Sequence, residues 1–292
     1  MKLRHVLLAI AIAAIWGFNF VAIKMGVAAV PPFLLTGLRF LISALPAVFF
    51  MARPKLPWRF IIGFGFVLGV GQFGLLFLAL KMGLSASLAS LVMQLQAPFT
   101  MLFAWLALKE IPIALQLIGA AIAFSGMAVI GYERWAGPDA VPLLLCVIAS
   151  MGWAGANIIA KQAKPDNTLA FVVWSSLVPP LPMFALSLVF EDHAAISAAL
   201  LHPSLVAIAS VLFLAYASTL FGYGAWNFLF QHYPAGTVAP FSLLVPIFGI
   251  LSGVLLLGES FDGYEILGAA LVIVGLLAAN SGVPFFRQAR QA

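Results

Sequence analysis

Five amide side chains inside long apolar stretches are the residues best suited to chemistry in this sequence. They are Asn19, Gln72, Gln94, Gln96 and Asn157. An amide in an apolar environment is costly unless it is hydrogen-bonded or faces water. These residues therefore predict either the lining of a polar cavity or hydrogen bonds between helices. Gln94 and Gln96 lie about 200° apart around a helix, so only one of them can face a cavity directly.

Two prolines predict breaks in apolar helices. Pro98 would leave the carbonyl of Gln94 without its helical hydrogen bond, and Pro246 would do the same to the carbonyl of Ser242. Such carbonyls could accept hydrogen bonds from a substrate ammonium, while the side chains of Gln94 and Gln96 bind its carboxylate or its polar side chain. The alternative is that the prolines only bend their helices while serine or water compensates.

Arg39 is the only charged residue well inside an apolar stretch. An arginine inside a membrane suggests a functional role by default, here a contact with a carboxylate or a gate. Its position near the start of its stretch also allows the side chain to snorkel to the surface. Three aromatic residues, Trp16, Trp153 and Tyr223, could stack on a substrate or pack in the core.

The chemistry missing from the apolar stretches is equally informative. No Asp or Glu lies in their interior, which argues against a proton relay built on carboxylates. Cys146 has no partner for a disulfide, and the histidines have no metal-ligand spacing. We expect no metal, no cofactor and no catalytic constellation, so the chain is not expected to be an enzyme.

The composition excludes a water-soluble fold. Of 292 residues, 64% are hydrophobic and 8% are charged, and the mean hydropathy is +1.14. A helix needs about 20 apolar residues to cross a bilayer, and the alternation typical of a membrane barrel is absent. The sequence therefore predicts an all-α polytopic membrane protein embedded in a lipid bilayer.

Ten transmembrane helices are predicted. They cover about residues 5–24, 33–51, 60–80, 86–108, 113–131, 140–160, 169–190, 204–230, 235–257 and 264–282. With both termini cytoplasmic, most Lys and Arg residues fall inside, as the positive-inside rule expects. The net charge of +5 then reflects topology, and no nucleic-acid partner is expected.

The ten spans form two similar halves, residues 1–135 and 136–292. Trp16 and Lys24 recur with the same spacing as Trp153 and Lys161. A second set, Glu110, Gly119 and Gly126, recurs at an offset of 149 residues as Glu259, Gly268 and Gly275. Because five spans is an odd number, the second half would enter the membrane inverted, an architecture typical of transporters. Chance similarity between apolar segments is the alternative.

Several motifs resemble a known family. They are Trp16-Gly17-x-Asn19-Phe20, the segment Gly37–Phe40, the Gly258-Glu259 pair and the segment Val238–Gly249. Together they resemble the EamA-type branch of the drug/metabolite transporter superfamily, most closely its bacterial amino-acid and cysteine/O-acetylserine exporters. The resemblance implies a five-plus-five inverted fold and export of small metabolites across the inner membrane. It also implies a cavity lined mainly by spans 1, 3, 4, 6, 8 and 9. The first half departs from the pattern at Lys109, which stands where the second half has Gly258.

These observations predict an exporter of small neutral or zwitterionic amino acids and related metabolites that works by alternating access. We expect a facilitator or exchanger that functions as a monomer. The alternative cargo is hydrophobic, such as a purine, a drug or another xenobiotic. The predicted cavity residues are Trp16, Asn19, Gln72, Gln94, Gln96, Trp153, Asn157, Tyr223 and Ser242, and the predicted helix breaks or gating residues are Arg39, Pro98 and Pro246.

Overall fold

The described residues form an all-helical fold. The structure is a computed structural model that describes residues 1–134, 140–233 and 235–281, and no strand occurs among them. The boundary predicted between the two halves, at residues 135 and 136, lies outside these residues. The apolar helices, numbered in chain order, are α1 Leu3–Ala29, α2 Pro32–Val48, α3 Trp58–Lys81, α4 Ala86–Leu108, α5 Ala114–Arg134, α6 Ala140–Ala163, α7 Thr168–Phe190, α8 205–232, α9 235–257 and α10 Gly263–Ser281.

Seven of these helices are long and apolar enough to cross a membrane, while α2, α9 and α10 are shorter apolar helices. The expectation of an all-helical polytopic membrane protein is therefore confirmed. One short helix, His193–Leu201, was not predicted; it connects α7 to α8. Asp192 begins it by accepting hydrogen bonds from the amides of Ala194 and Ala195, both at 3.2 Å.

Helices α4 and α9 both tighten just before a proline. A 3-10 segment covers Met93–Leu95 in α4, and another covers Ala239–Leu243 in α9. Each segment ends three residues before Pro98 or Pro246. Because proline has no N–H group and clashes with the preceding turn, the chain cannot keep regular α geometry there.

Helices α3 and α8 widen in a way that the sequence did not predict. Residues Val67–Gly74 in α3 and Phe213–Phe221 in α8 form π-helical segments. In the second segment, Thr219 Oγ1 donates a hydrogen bond at 2.8 Å to the carbonyl of Leu214, five residues earlier. Such segments are rare and frequently occur at functional sites.

Helices α5 and α10 pack closely through glycine. A Cβ atom added at Gly119 would lie 2.5 Å from the carbonyl oxygen of Gly275, and one added at Gly275 would lie 2.5 Å from that of Gly119. Gly126 and Gly268 approach each other in the same way. The absence of side chains lets the two backbones touch, as expected where small residues drive helix association in a membrane.

Candidate functional site

A central cavity of about 60 Å³ is lined by residues from α1, α2, α3, α6, α8 and α9. Six of the predicted residues line it: Trp16, Asn19, Arg39, Gln72, Trp153 and Tyr223. The remaining lining residues are Phe20, Phe73, Leu76, Ser218 and Val245. The structure thus brings side chains from both halves of the sequence together around one small cavity.

Three of the eleven residues that line this cavity belong to the two π-helical segments. Gln72 and Phe73 belong to the segment in α3, and Ser218 belongs to the segment in α8. The indole Nε1 of Trp16 donates a hydrogen bond at 3.0 Å to the Ser218 carbonyl. The ring of Trp16 also lies beside Tyr223, with 5.6 Å between the ring centroids. Both π segments therefore take part in lining the cavity, and the one in α8 contacts α1 through Trp16.

Arg39 is buried against the cavity and does not snorkel. Its side chain is 2% exposed, so the surface interpretation of this residue is wrong. The guanidinium carbon lies 3.8 Å from the centre of the Phe73 ring, a cation–π contact. Its Nη2 donates a hydrogen bond at 3.3 Å to Thr219 Oγ1.

Several buried polar atoms around this cavity lack a hydrogen-bond partner within the described part of the chain. They are Asn19 Oδ1, Gln72 Oε1, and Nε and Nη1 of Arg39. Asn19 is 6% exposed and Gln72 is 3% exposed. Because most buried polar groups in proteins are hydrogen-bonded, such a concentration in one place calls for a functional explanation.

The other predicted residues lie apart from the lining of this cavity. Asn157 Nδ2 donates hydrogen bonds to Gln96 Oε1 at 2.9 Å and to Thr100 Oγ1 at 3.1 Å, which joins α6 to α4. For Asn157 and Gln96, the geometry therefore matches the interpretation of amides as contacts between helices.

The remaining four polar and helix-breaking positions also differ from the expected arrangement. Gln94 is buried outside the cavity lining, and Pro98 lines a separate small cavity between α4, α5 and α10. Ser242 and Pro246 are not lining residues either, but Val245 beside Pro246 is. The break in α9 therefore borders the cavity through Val245 without supplying its polar groups, and the break in α4 does not reach it.

The C-terminal end of α1 and the helix ends around it, which we call the Lys24 end, are joined through backbone groups. Lys24 Nζ donates hydrogen bonds to the carbonyls of Leu80 at 3.0 Å and Leu84 at 2.6 Å. The Glu259 carboxylate accepts hydrogen bonds from the amides of Ala86 at 2.6 Å and Ser87 at 2.8 Å, at the start of α4. A carboxylate at a helix N-terminus satisfies free amides and complements the helix dipole.

The opposite end, which we call the Lys161 end, is joined differently. Lys161 Nζ lies 2.5 Å from Glu110 Oε2, and the two side chains are 53% and 49% exposed. An exposed ion pair of this kind contributes little stability, typically about 1 kcal/mol or less. Lys161 and Glu110 therefore bind each other, whereas Lys24 and Glu259 each bind backbone groups.

Sequence analysis did not identify Phe73, Ser218, Thr219 or the role of Glu259. Ser218 and Thr219 gave no signal, because a π segment has no clear sequence signature. Glu259 belongs to the repeated residues and to the Gly258-Glu259 motif, but neither pattern gives it a partner. Its distance of 173 residues from Ala86 made the contact with α4 invisible in the sequence.

Comparison with known proteins identifies the family. Residues 3–132 and 141–281 match the EamA-like transporter family. The chain belongs to this family. Among its relatives, a protein of Salmonella typhimurium named "Probable amino-acid metabolite efflux pump" is 40% identical over 296 residues, covering 99% of both chains. A protein of the same name from Escherichia coli K12 is 38% identical over 282 residues, covering 94% of each chain.

A solved crystal structure supports the fold of this EamA-family chain. It superposes with a TM-score of 0.66 at 19% sequence identity and covers 96% of this chain and 98% of its own. The family match, the relatives and the apolar helices together show that the protein is a multi-pass inner-membrane transporter. The site described above is therefore the candidate substrate site of a small-molecule transporter.

Proposed function

We propose that this EamA-family chain exports small neutral or zwitterionic amino acids and related metabolites by alternating access. The central observation is the cavity between the two halves, lined by α1, α2 and α3 from the first and by α6, α8 and α9 from the second. A site shared by two repeats can be exposed on either side of the membrane when one repeat rocks against the other. The names of the relatives support amino-acid metabolites as the cargo class.

The inverted repeat is part of this proposal. Gly119 contacts Gly275, and Gly126 contacts Gly268, while Gly119 corresponds to Gly268 and Gly126 to Gly275 in the repeated sequence. Contacts that exchange equivalent residues in this way are expected around a two-fold axis. The paired 3-10 segments of α4 and α9 and the paired π segments of α3 and α8 also support two related halves.

The proposed topology has ten spans with both termini in the cytoplasm, which places the Lys24 end outside. Single cysteines at Ala52 and Ser260, both exposed, test it. The native Cys146 is fully buried and should stay silent. A membrane-impermeant maleimide added to intact cells should label S260C, and A52C only after the membrane is permeabilised. The reverse pattern would reject the proposed orientation.

The proposed mechanism is that of a facilitator or exchanger acting as a monomer. It rests on the absence of Asp and Glu from the interior of the apolar stretches. Purified protein in liposomes should therefore catalyse counterflow of labelled neutral amino acids without an ion gradient. An imposed pH gradient should leave the rate unchanged. Accumulation driven by that gradient would reject this mechanism.

Hydrophobic cargo is the second candidate function, because aromatic side chains make up much of the cavity lining. Trp16, Phe20, Phe73, Trp153 and Tyr223 all face it. The same liposomes tested with a labelled purine discriminate the two. Purine counterflow without amino-acid counterflow would favour the second function, and the opposite result would favour the first.

A further inference from the structure

The unpartnered atoms at the central cavity form two chemically opposite groups. Arg39 offers N–H donors and a permanent positive charge, whereas Asn19 and Gln72 offer carbonyl oxygens, which are acceptors. All three residues line the same cavity. A ligand that satisfies both groups must carry an anionic acceptor and a separate cluster of donors.

Arg39, which we call the positive pole of the cavity, has N–H donors that the described part of the protein does not satisfy. Asn19 and Gln72, whose free oxygens could accept from an ammonium group, form the ammonium pole. The hydrogen bond to Thr219 uses one of the five N–H donors of the guanidinium, and no carboxylate among the described residues pairs with Arg39. Phe73 covers a face of the group, but the N–H bonds point outward in its plane, so the ring does not satisfy them. A buried arginine without a counter-ion is costly in a membrane, which favours a ligand that supplies the negative charge.

We propose that Arg39 binds the carboxylate of a zwitterionic substrate while Asn19 Oδ1 and Gln72 Oε1 accept hydrogen bonds from its ammonium group. This inference rests on the proposed function and narrows it to substrates that carry both charged groups. An α-amino acid meets this requirement, because its carboxylate accepts from a guanidinium fork and its ammonium has three donors. Trp16 and Trp153 then flank the space left for the substrate side chain.

The cavity must widen for such a substrate to bind. Its volume of about 60 Å³ suits water molecules and is well below the roughly 300 Å³ at which ligand pockets begin. The polar atoms in question are closed off from solvent in this arrangement. Asn19 lies on α1, Arg39 on α2 and Gln72 on α3. Separation of α1 and α2 from α3 and α8 would therefore expose the donors of Arg39 and the acceptors of Asn19 and Gln72 together.

Three probes that differ by one charged group test the proposal. They are a neutral amino acid, its carboxamide, which keeps only the ammonium, and the corresponding des-amino acid, which keeps only the carboxylate. Each competes against the labelled amino acid in counterflow, and binding is followed separately by the intrinsic fluorescence of the tryptophans at the cavity. For the unmodified protein we expect the zwitterion to bind at least about tenfold more tightly than either analogue.

Arg39→Gln and Gln72→Leu test the two poles separately. Arg39→Gln should weaken binding of the zwitterion at least about tenfold and abolish the preference over the carboxamide, while the preference over the des-amino acid persists. Gln72→Leu should instead reduce the preference over the des-amino acid. Arg53→Gln is the matched control, because Arg53 stacks on Trp58 away from the cavity and should leave all three affinities unchanged.

The outcomes separate the proposal from the function on which it rests. If the protein transports zwitterions and Arg39→Gln keeps the original preference over the carboxamide, Arg39 does not bind the carboxylate and the proposal is wrong. If the unmodified protein binds and transports no amino acid, the proposed function fails and the proposal falls with it. Where Arg39→Gln does not fold, as judged by its elution from a sizing column, an unchanged preference in Gln72→Leu overturns the assignment of the ammonium pole.

Discussion

The ammonium group of Lys161 pairs with the Glu110 carboxylate at 2.5 Å, whereas their counterparts in the repeated sequence, Lys24 and Glu259, form backbone contacts instead. Equivalent residues thus make different bonds at the two ends of the molecule. Lys24 and Glu259 bind backbone groups at the end of α3, at the start of α4 and in the turn between them, whereas Lys161 and Glu110 bind each other in an exposed ion pair.

The two equivalent glutamates should differ in their effect on stability. Glu259→Gln weakens a charged cap on α4 and should lower the free energy of unfolding by about 1–2 kcal/mol. Glu110→Gln removes an exposed pair and should cost about 1 kcal/mol or less. Melting in detergent, followed with a dye that reacts with the buried Cys146 as it becomes exposed, measures both. Equal losses would contradict the predicted difference between the two glutamates.

Replacement of Lys109 by glycine should stabilise the C-terminal end of α4. Lys109 has φ 59° and Gly258, its counterpart, has φ 66°, so both close their helices in the left-handed conformation. A side chain is unfavourable there, and glycine is not. Lys109→Gly should therefore stabilise the protein by about 0.5–1 kcal/mol, and Gly258→Ala should destabilise it by about 1 kcal/mol. The same melting assay measures both, and a loss of stability in Lys109→Gly would contradict the prediction.

The contact between α5 and α10 should not tolerate a methyl group at Gly119. An added Cβ would lie 2.5 Å from the Gly275 carbonyl oxygen, so Gly119→Ala should cost about 1–3 kcal/mol by overpacking. Gly131 lies on the same helix with nothing within 4 Å of an added Cβ. Gly131→Ala is therefore the matched control and should be neutral or slightly stabilising. Similar melting temperatures for the two variants would show that the helices do not pack this closely.

The hydrogen bond from Trp16 to the Ser218 carbonyl should matter for transport. Trp16→Phe keeps an aromatic ring but removes the donor, and it leaves a carbonyl in the π segment of α8 without this partner. We expect the initial rate of counterflow, divided by the substrate concentration, to fall about tenfold or more. The amount of folded protein should change little. Trp58→Phe is the control, since Trp58 is exposed and is not one of the residues that line the cavity. Equal activity of the two variants would remove this bond from the mechanism.

Much of the architecture could be predicted because it depends on local properties. Long apolar stretches predicted the helices and their approximate ends, and Pro98 and Pro246 predicted where α4 and α9 would become irregular. The amides, Arg39 and the aromatic residues stood out because polar groups are rare in such stretches. This was enough to propose six residues that do line the cavity.

What the sequence determined by itself is the class of protein, its helices and its candidate polar residues, because these follow from composition and from the cost of burying polar groups. Only the tertiary structure decided which candidates meet. It grouped Asn19, Arg39 and Gln72 at one cavity, joined Gln96 to Asn157 elsewhere, and buried Arg39 rather than extending it to the surface. The physical reason is that these helices are apolar all round, so no polar face indicates which side turns inward. Packing between helices, aided by π segments without a sequence signature, sets that direction.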